Sequence, residues 1–138
     1  MNRLRAVHWR NVLIGALVQA VIALPALIVG SAVNGGDSSN AAVVALVLVL
    51  FVAPFIGGAI AAMDERATPY VHGAIAGAIG WLAIVLHALG RQLFGNGSPN
   101  AATLIATGIV NVSVGMLGGY FSFRRLLRKE ASDQSPRR

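Results

Sequence analysis

Residues 11–63 read NVLIGALVQAVIALPALIVGSAVNGGDSSNAAVVALVLVLFVAPFIGGAIAAM, and Asp37 is the only formal charge among them. An apolar run of roughly 20 residues crosses the hydrocarbon core as a helix. This stretch holds two such runs, separated by the polar, glycine-rich segment NGGDSSN at 34–40. The second half follows the same plan. From Ala67 to Phe123 the only formal charge is Arg91, and GNGSPN at 95–100 divides the stretch in two. The pattern predicts an all-α integral membrane four-helix bundle with spans at 11–33, 41–63, 71–93 and 101–123. Asn40 and Asn100 are placed to cap spans two and four, and Thr68 followed by Pro69 is a start signal for span three. Pro25 and Pro54 fall inside spans one and two. They mark kinks rather than ends, because neighbouring membrane helices satisfy the carbonyl a proline frees.

The chain of 138 residues is 56% hydrophobic and 12% charged, with a mean hydropathy of +0.69. Soluble domains carry about a quarter charged residues, so the composition argues against a water-soluble fold and excludes a disordered chain. Cysteine is absent, which removes disulfides, thiolate metal sites and a cysteine nucleophile. One transmembrane domain over 1–138, ending in a basic tail at 124–138, is the natural organisation at this length. The first span is too long for the apolar region of a cleaved signal peptide and is expected to be retained.

Orientation follows from lysine and arginine in the short flanks. Arg3, Arg5 and Arg10 precede span one, Arg66 lies between spans two and three, and Arg124, Arg125, Arg128, Lys129, Arg137 and Arg138 follow span four. Only Arg91 falls on the other side, so ten basic residues against one place both termini in the cytoplasm. Trp9, Tyr70, Tyr120, Phe121 and Phe123 gather at the same interface, where amphipathic rings favour the headgroup layer. Ten arginines to one lysine suggest a GC-rich bacterial genome, and hence the bacterial inner membrane. The net charge of +6 is accounted for by this topology and does not require nucleic acid. Arg3, Arg5, Arg10, Arg124, Arg125, Arg128 and Lys129 form a basic rim expected to contact anionic inner-leaflet lipid, at about 1 kcal/mol per residue. The last residues, SDQSPRR, are expected to lack structure of their own.

The halves also resemble each other. NGGDSSNAA (34–42) matches NGSPNAA (96–102), and IGGAIAA (56–62) occupies the place of LGGYFSF (117–123). Two hairpins in the same orientation would form a parallel repeat about an axis along the membrane normal.

Membrane helices associate through close packing of small residues and a few hydrogen bonds. In span three Gly73, Gly77, Gly80, Ile84, His87 and Arg91 share one helical face; in span four Gly108, Asn111, Gly115, Gly118 and Ser122 do. Gly73/Gly77 and Gly115/Gly119 are GxxxG pairs, Ala53/Gly57/Ala61 is the equivalent in span two, and Gly15, Gln19, Ile22 and Ala26 form the stripe of span one. Four striped helices predict a close-packed bundle with small-residue surface to spare for a partner or a second copy.

Intramembrane polar groups are functional candidates by default, here Gln19, His87 and Asn111. At about 1.5 Å per residue, Gln19 lies ~12 Å and Asn111 ~18 Å from the inner ends of their spans. Their amides are within reach of each other as structural glue. His87, ~24 Å from the inner end, stands one turn from Arg91, which snorkels outward. His8 and His72 lie at the inner interface, and no two histidines have ligand spacing on one helix, so no metal site and no cofactor are expected. Asp64, Glu65 and Arg66 form the tight inner loop. The acids oppose the dipole of the helix they end, with Arg66 as compensation, or offer an acidic step to a partner's basic groove.

No nucleophile–base pair, carboxylate pair or metal set is apparent, so an enzyme is not expected. Small multidrug exporters are four-span chains of similar length, but they carry a carboxylate in the first span, where this chain has Gln19. VNVSVGMLGG (110–119) resembles the asparagine-bearing helix of fluoride channels. The arginine-bearing first span and phenylalanine–threonine break of those channels are missing. FIGGAIAAMDERATPYVHGAIAG (55–77), with GG near the end of helix two and HGAxAG opening helix three, resembles uncharacterised small four-span bacterial membrane proteins; the likeness covers about a sixth of the chain and implies no activity. The resulting expectation is a non-catalytic accessory subunit of a larger integral membrane complex, with Mce-type lipid importers and respiratory supercomplexes as plausible hosts and the lipid importer as the one chosen. The alternative is a small homo-oligomeric channel or transporter.

Overall fold

The computed structural model describes residues 7–33, 40–94 and 100–133, all of whose regular structure is helical. The two glycine-rich breaks at 34–39 and 95–99, Arg3, Arg5, and the terminal residues 134–138 lie outside the described residues, so the loop match on which the repeat rests is not on view. Four helices follow in order: α1 (Trp9–Val33), α2 (Asn40–Ala61), α3 (Pro69–Leu93) and α4 (Ala101–Asp133). Each is long and apolar enough to cross a membrane. Pro25 and Pro54 lie inside α1 and α2 and do not end them.

The boundaries have local causes. Pro69 takes the first position of α3, where its missing N–H would have no helical partner. Asn100 Oδ1 accepts from the Ala102 amide (2.9 Å) and so caps α4. α4 is the main departure from the expected spans, running 33 residues to Asp133 instead of ending near Phe123. At about 1.5 Å per residue it is ~50 Å long, well beyond the ~30 Å of hydrocarbon. The added turns are rich in Arg, Leu and Lys, all good helix formers. They are held by an ion pair between Arg66 in the α2–α3 loop and Glu130. Ser132, expected in an unstructured end, lies within this helix and donates to the Lys129 carbonyl (2.7 Å).

Around the bundle α1 packs on α2 and α3, and α4 packs on α2 and α3. α2 and α3 also touch across the centre, whereas no Cα of α1 comes within 8 Å of α4. A two-fold about the membrane normal would make α1–α4 and α2–α3 equivalent, and in this packing they are not.

The close approaches run through glycine. A Cβ at Gly115 would strike the Gly73 carbonyl and Gly77, and one at Gly58 or Gly73 would strike the Gly115 carbonyl, so α2, α3 and α4 meet at Gly115. Gly57 and Gly15 make the matching crossing of α2 on α1, Gly77 lies on the Asn111 backbone, and Gly119 lies on Pro69. Gly108 makes room for the Trp81 ring, whose Nε1 donates to the Leu104 carbonyl (3.0 Å). At the basic end Tyr70 stacks on Tyr120 with centroids 6.0 Å apart, and Phe55 packs on Phe121 at 5.7 Å.

Candidate functional site

Two polar constellations lie inside the described bundle. The first joins α1 to α4 where their backbones do not meet. Gln19 Nε2 donates to Asn111 Oδ1 (2.7 Å), and Asn111 Nδ2 donates to the Thr107 carbonyl one turn earlier (2.8 Å). Gln19 is fully buried and Asn111 nearly so, while Gln19 Oε1 has no hydrogen-bond partner. Gly80 and Gly57 explain how a long amide fits there, since a Cβ on either would collide with the Gln19 side chain. The two amides fill the centre and face each other, an arrangement suited to setting helix register. His87 belongs to neither constellation; it is half-buried on α3, with exposed Arg91 one turn beyond.

The second constellation lies at the basic end and draws on three separate parts of the chain. Val7 is buried among Val12, Ala61 and Ala76, which seats the segment before α1 against the bundle. His8 follows, its backbone N–H donating to His72 Nε2 (3.0 Å) and its ring Nδ1 lying 2.9 Å from Glu65 Oε2. His72, on the first turn of α3, is fully buried, and its Nδ1 donates to the Thr68 carbonyl (2.9 Å). Its Thr68 Oγ1 contact is longer, at 3.4 Å. Glu65 Oε1 accepts from the amides of Ala67 (2.9 Å) and Thr68 (3.3 Å), and Oε2 lies 3.5 Å from His72 Nε2. One donor atom from each of His8, Glu65 and His72 lies within 4.8 Å of the other two.

This arrangement corrects the reading of the loop. Glu65 is only 5% exposed and turns inward, so of the two loop acids only Asp64 is exposed to a partner. It meets the N-terminal end of α3, where a carboxylate is favourable, rather than burdening the C-terminal end of α2. Arg66 compensates Glu130 of α4 instead. Burial pushes the Glu65 carboxyl up. The His8 hydrogen bond, the two amides and the nearby His72 ring outweigh that push and hold its pKa below the ordinary 4.5. Spacing along a helix could not reveal the cluster, because each ligand-type residue comes from a different element; the one available signal was their common placement at the basic end of the spans.

Outside the bundle, α2 and α4 leave a cleft of about 500 Å³ at the basic end. Phe55, Ile56, Ile60 and Met63 form part of its apolar wall, and Arg124, Arg125 and Arg128 stand over it. Lys129 lines an adjoining, more polar hollow with Arg66 and Glu130. Arg10 is exposed near the start of α1.

No protein-family model, curated protein or solved structure matches the chain.

Proposed function

We propose that this chain is a non-catalytic inner-membrane protein that serves as an accessory or stabilising subunit of a larger integral membrane complex. The observation that carries the reading is the closed centre of the bundle. Gln19 and Asn111, the side chains a solute path would need, bond to each other in a space bounded by Gly57 and Gly80. A conduit through one copy would have to break that packing. The cytoplasmic placement of both termini rests on ten basic residues against one, and a duplicated hairpin rests on the matched loops of the sequence, without two-fold packing of the helices. Anionic lipid is the proposed neighbour of the arginine-topped cleft, where an acyl chain would meet the apolar wall and a phosphate the guanidiniums. The likeness of 55–77 to small four-span bacterial proteins agrees with this reading.

The structure alters one expectation about the partner surface. Among the described glycines only Gly90 has open space around it; the other seam glycines pack inside the bundle or against its own side chains. Partner contacts would therefore use the bulky apolar outer faces or the basic end, not a spare GxxxG seam.

The test is to tag the chain at its C-terminus in its native chromosome, purify it in mild detergent and identify co-purifying proteins by mass spectrometry. A stoichiometric larger membrane complex is expected, and a lipid importer among its subunits would support the suggested host. A pure homo-oligomer would overturn the accessory reading in favour of a small channel or transporter.

A further inference from the structure

We propose that His8, Glu65 and His72 form a binding site for a divalent transition-metal ion of the zinc class, which clamps the segment before α1 onto the start of α3. This inference goes beyond the accessory reading and does not rest on it. The first argument is distance. Metal–ligand bonds of about 2.0–2.1 Å at a tetrahedral angle put ligand atoms about 3.3 Å apart. Glu65 Oε2 lies 2.9 Å from His8 Nδ1 and 3.5 Å from His72 Nε2, which brackets that value.

The second argument is orientation. Metal-binding histidines characteristically donate their other ring N–H to a carbonyl or carboxylate, which fixes the tautomer and aims the free lone pair. His72 does this through Nδ1 to the Thr68 carbonyl, which leaves Nε2 as the unprotonated nitrogen, where it now accepts the His8 amide. Glu65 is held likewise, with the Ala67 and Thr68 amides on Oε1 and Oε2 turned toward both histidines. The backbone groups of Ala67 and Thr68 that orient Glu65 and His72 would stay in place when a metal enters. An entering ion would replace the His8 Nδ1–H···Oε2 bond, with that proton moving to Nε2. It would also take the Nε2 lone pair of His72 from the His8 amide.

The third argument is donor chemistry. Two imidazoles and one carboxylate suit zinc-like ions, whereas magnesium and calcium take oxygen ligands. The His8 side chain is 69% exposed, so a water can complete the coordination from that side.

The experiment uses the full chain without a histidine tag, stripped with chelator in detergent and titrated with Zn2+ by calorimetry, with Mg2+ as control. One Zn2+ per chain and no Mg2+ binding are expected. His8→Ala, which changes an exposed side chain, should weaken Zn2+ binding at least about tenfold, since loss of even an outer-shell partner costs 10–100-fold. Glu65→Gln should do the same, and His87→Gln should leave binding unchanged. Absence of saturable Zn2+ binding by the folded wild-type protein would overturn the site and leave the cluster a hydrogen-bonded latch. So would binding that survives both His8→Ala and Glu65→Gln, because the ion would then lie elsewhere.

Discussion

Glu65 is a nearly buried carboxylate whose charge is held by His8 and two backbone amides, and its effect on stability has a definite sign. A group whose folded pKa lies below its unfolded value contributes stability that is present above the unfolded pKa and lost as pH falls through the folded one. Thermal stability of the wild-type protein in detergent should therefore exceed that of Glu65→Gln at pH 7, with the difference shrinking as pH drops below about 4.5. A difference that stays constant or grows under acid would contradict this assignment. Gln19 and Asn111 allow a second measurement at this scale. Interhelical hydrogen bonds in membranes average about 0.6 kcal/mol and reach about 1.7. A double-mutant cycle with Gln19→Leu and Asn111→Leu is expected to give a coupling in that range. Zero coupling would mean that the 2.7 Å contact contributes no net stability. Periodicity placed both amides on inward stripes, but their pairing depends on α1 and α4 facing each other across the bundle.

At the scale of elements, α2, α3 and α4 converge at Gly115, where an added side chain would meet backbone that cannot swing aside. Overpacking of a well-packed core costs about 1–3 kcal/mol and sometimes more. Gly115→Leu and Gly77→Leu are expected to lower the melting temperature in detergent markedly or to prevent assembly. Gly90→Ala, with open space around the glycine, should be neutral or stabilising by up to about 1 kcal/mol. Equal behaviour of Gly115→Leu and Gly90→Ala would refute the seam. The spans themselves were legible because apolar length is a one-dimensional property. The end of α4 was not: its turns are charged yet continue as helix, tied through Glu130 to Arg66 in a loop 64 residues earlier.

For the whole molecule, orientation is the property most open to direct measurement. The chain contains no cysteine, so any introduced cysteine is unique. Under the proposed orientation, Phe94→Cys at the exposed end of α3 should react with an impermeant maleimide in intact spheroplasts. Ser132→Cys near the end of α4 should react only after permeabilisation. The reverse pattern would place the basic rim outside, against the charge asymmetry. Composition and patterning alone determined four apolar helices, their approximate limits and the faces that carry small and polar residues, because burial in hydrocarbon constrains each segment separately. Tertiary structure alone decided which helices touch, that Gly58 shares the Gly115 crossing, and that His8, Glu65 and His72 converge. Those relations join residues distant in sequence, and no periodicity within one helix encodes a distance to another.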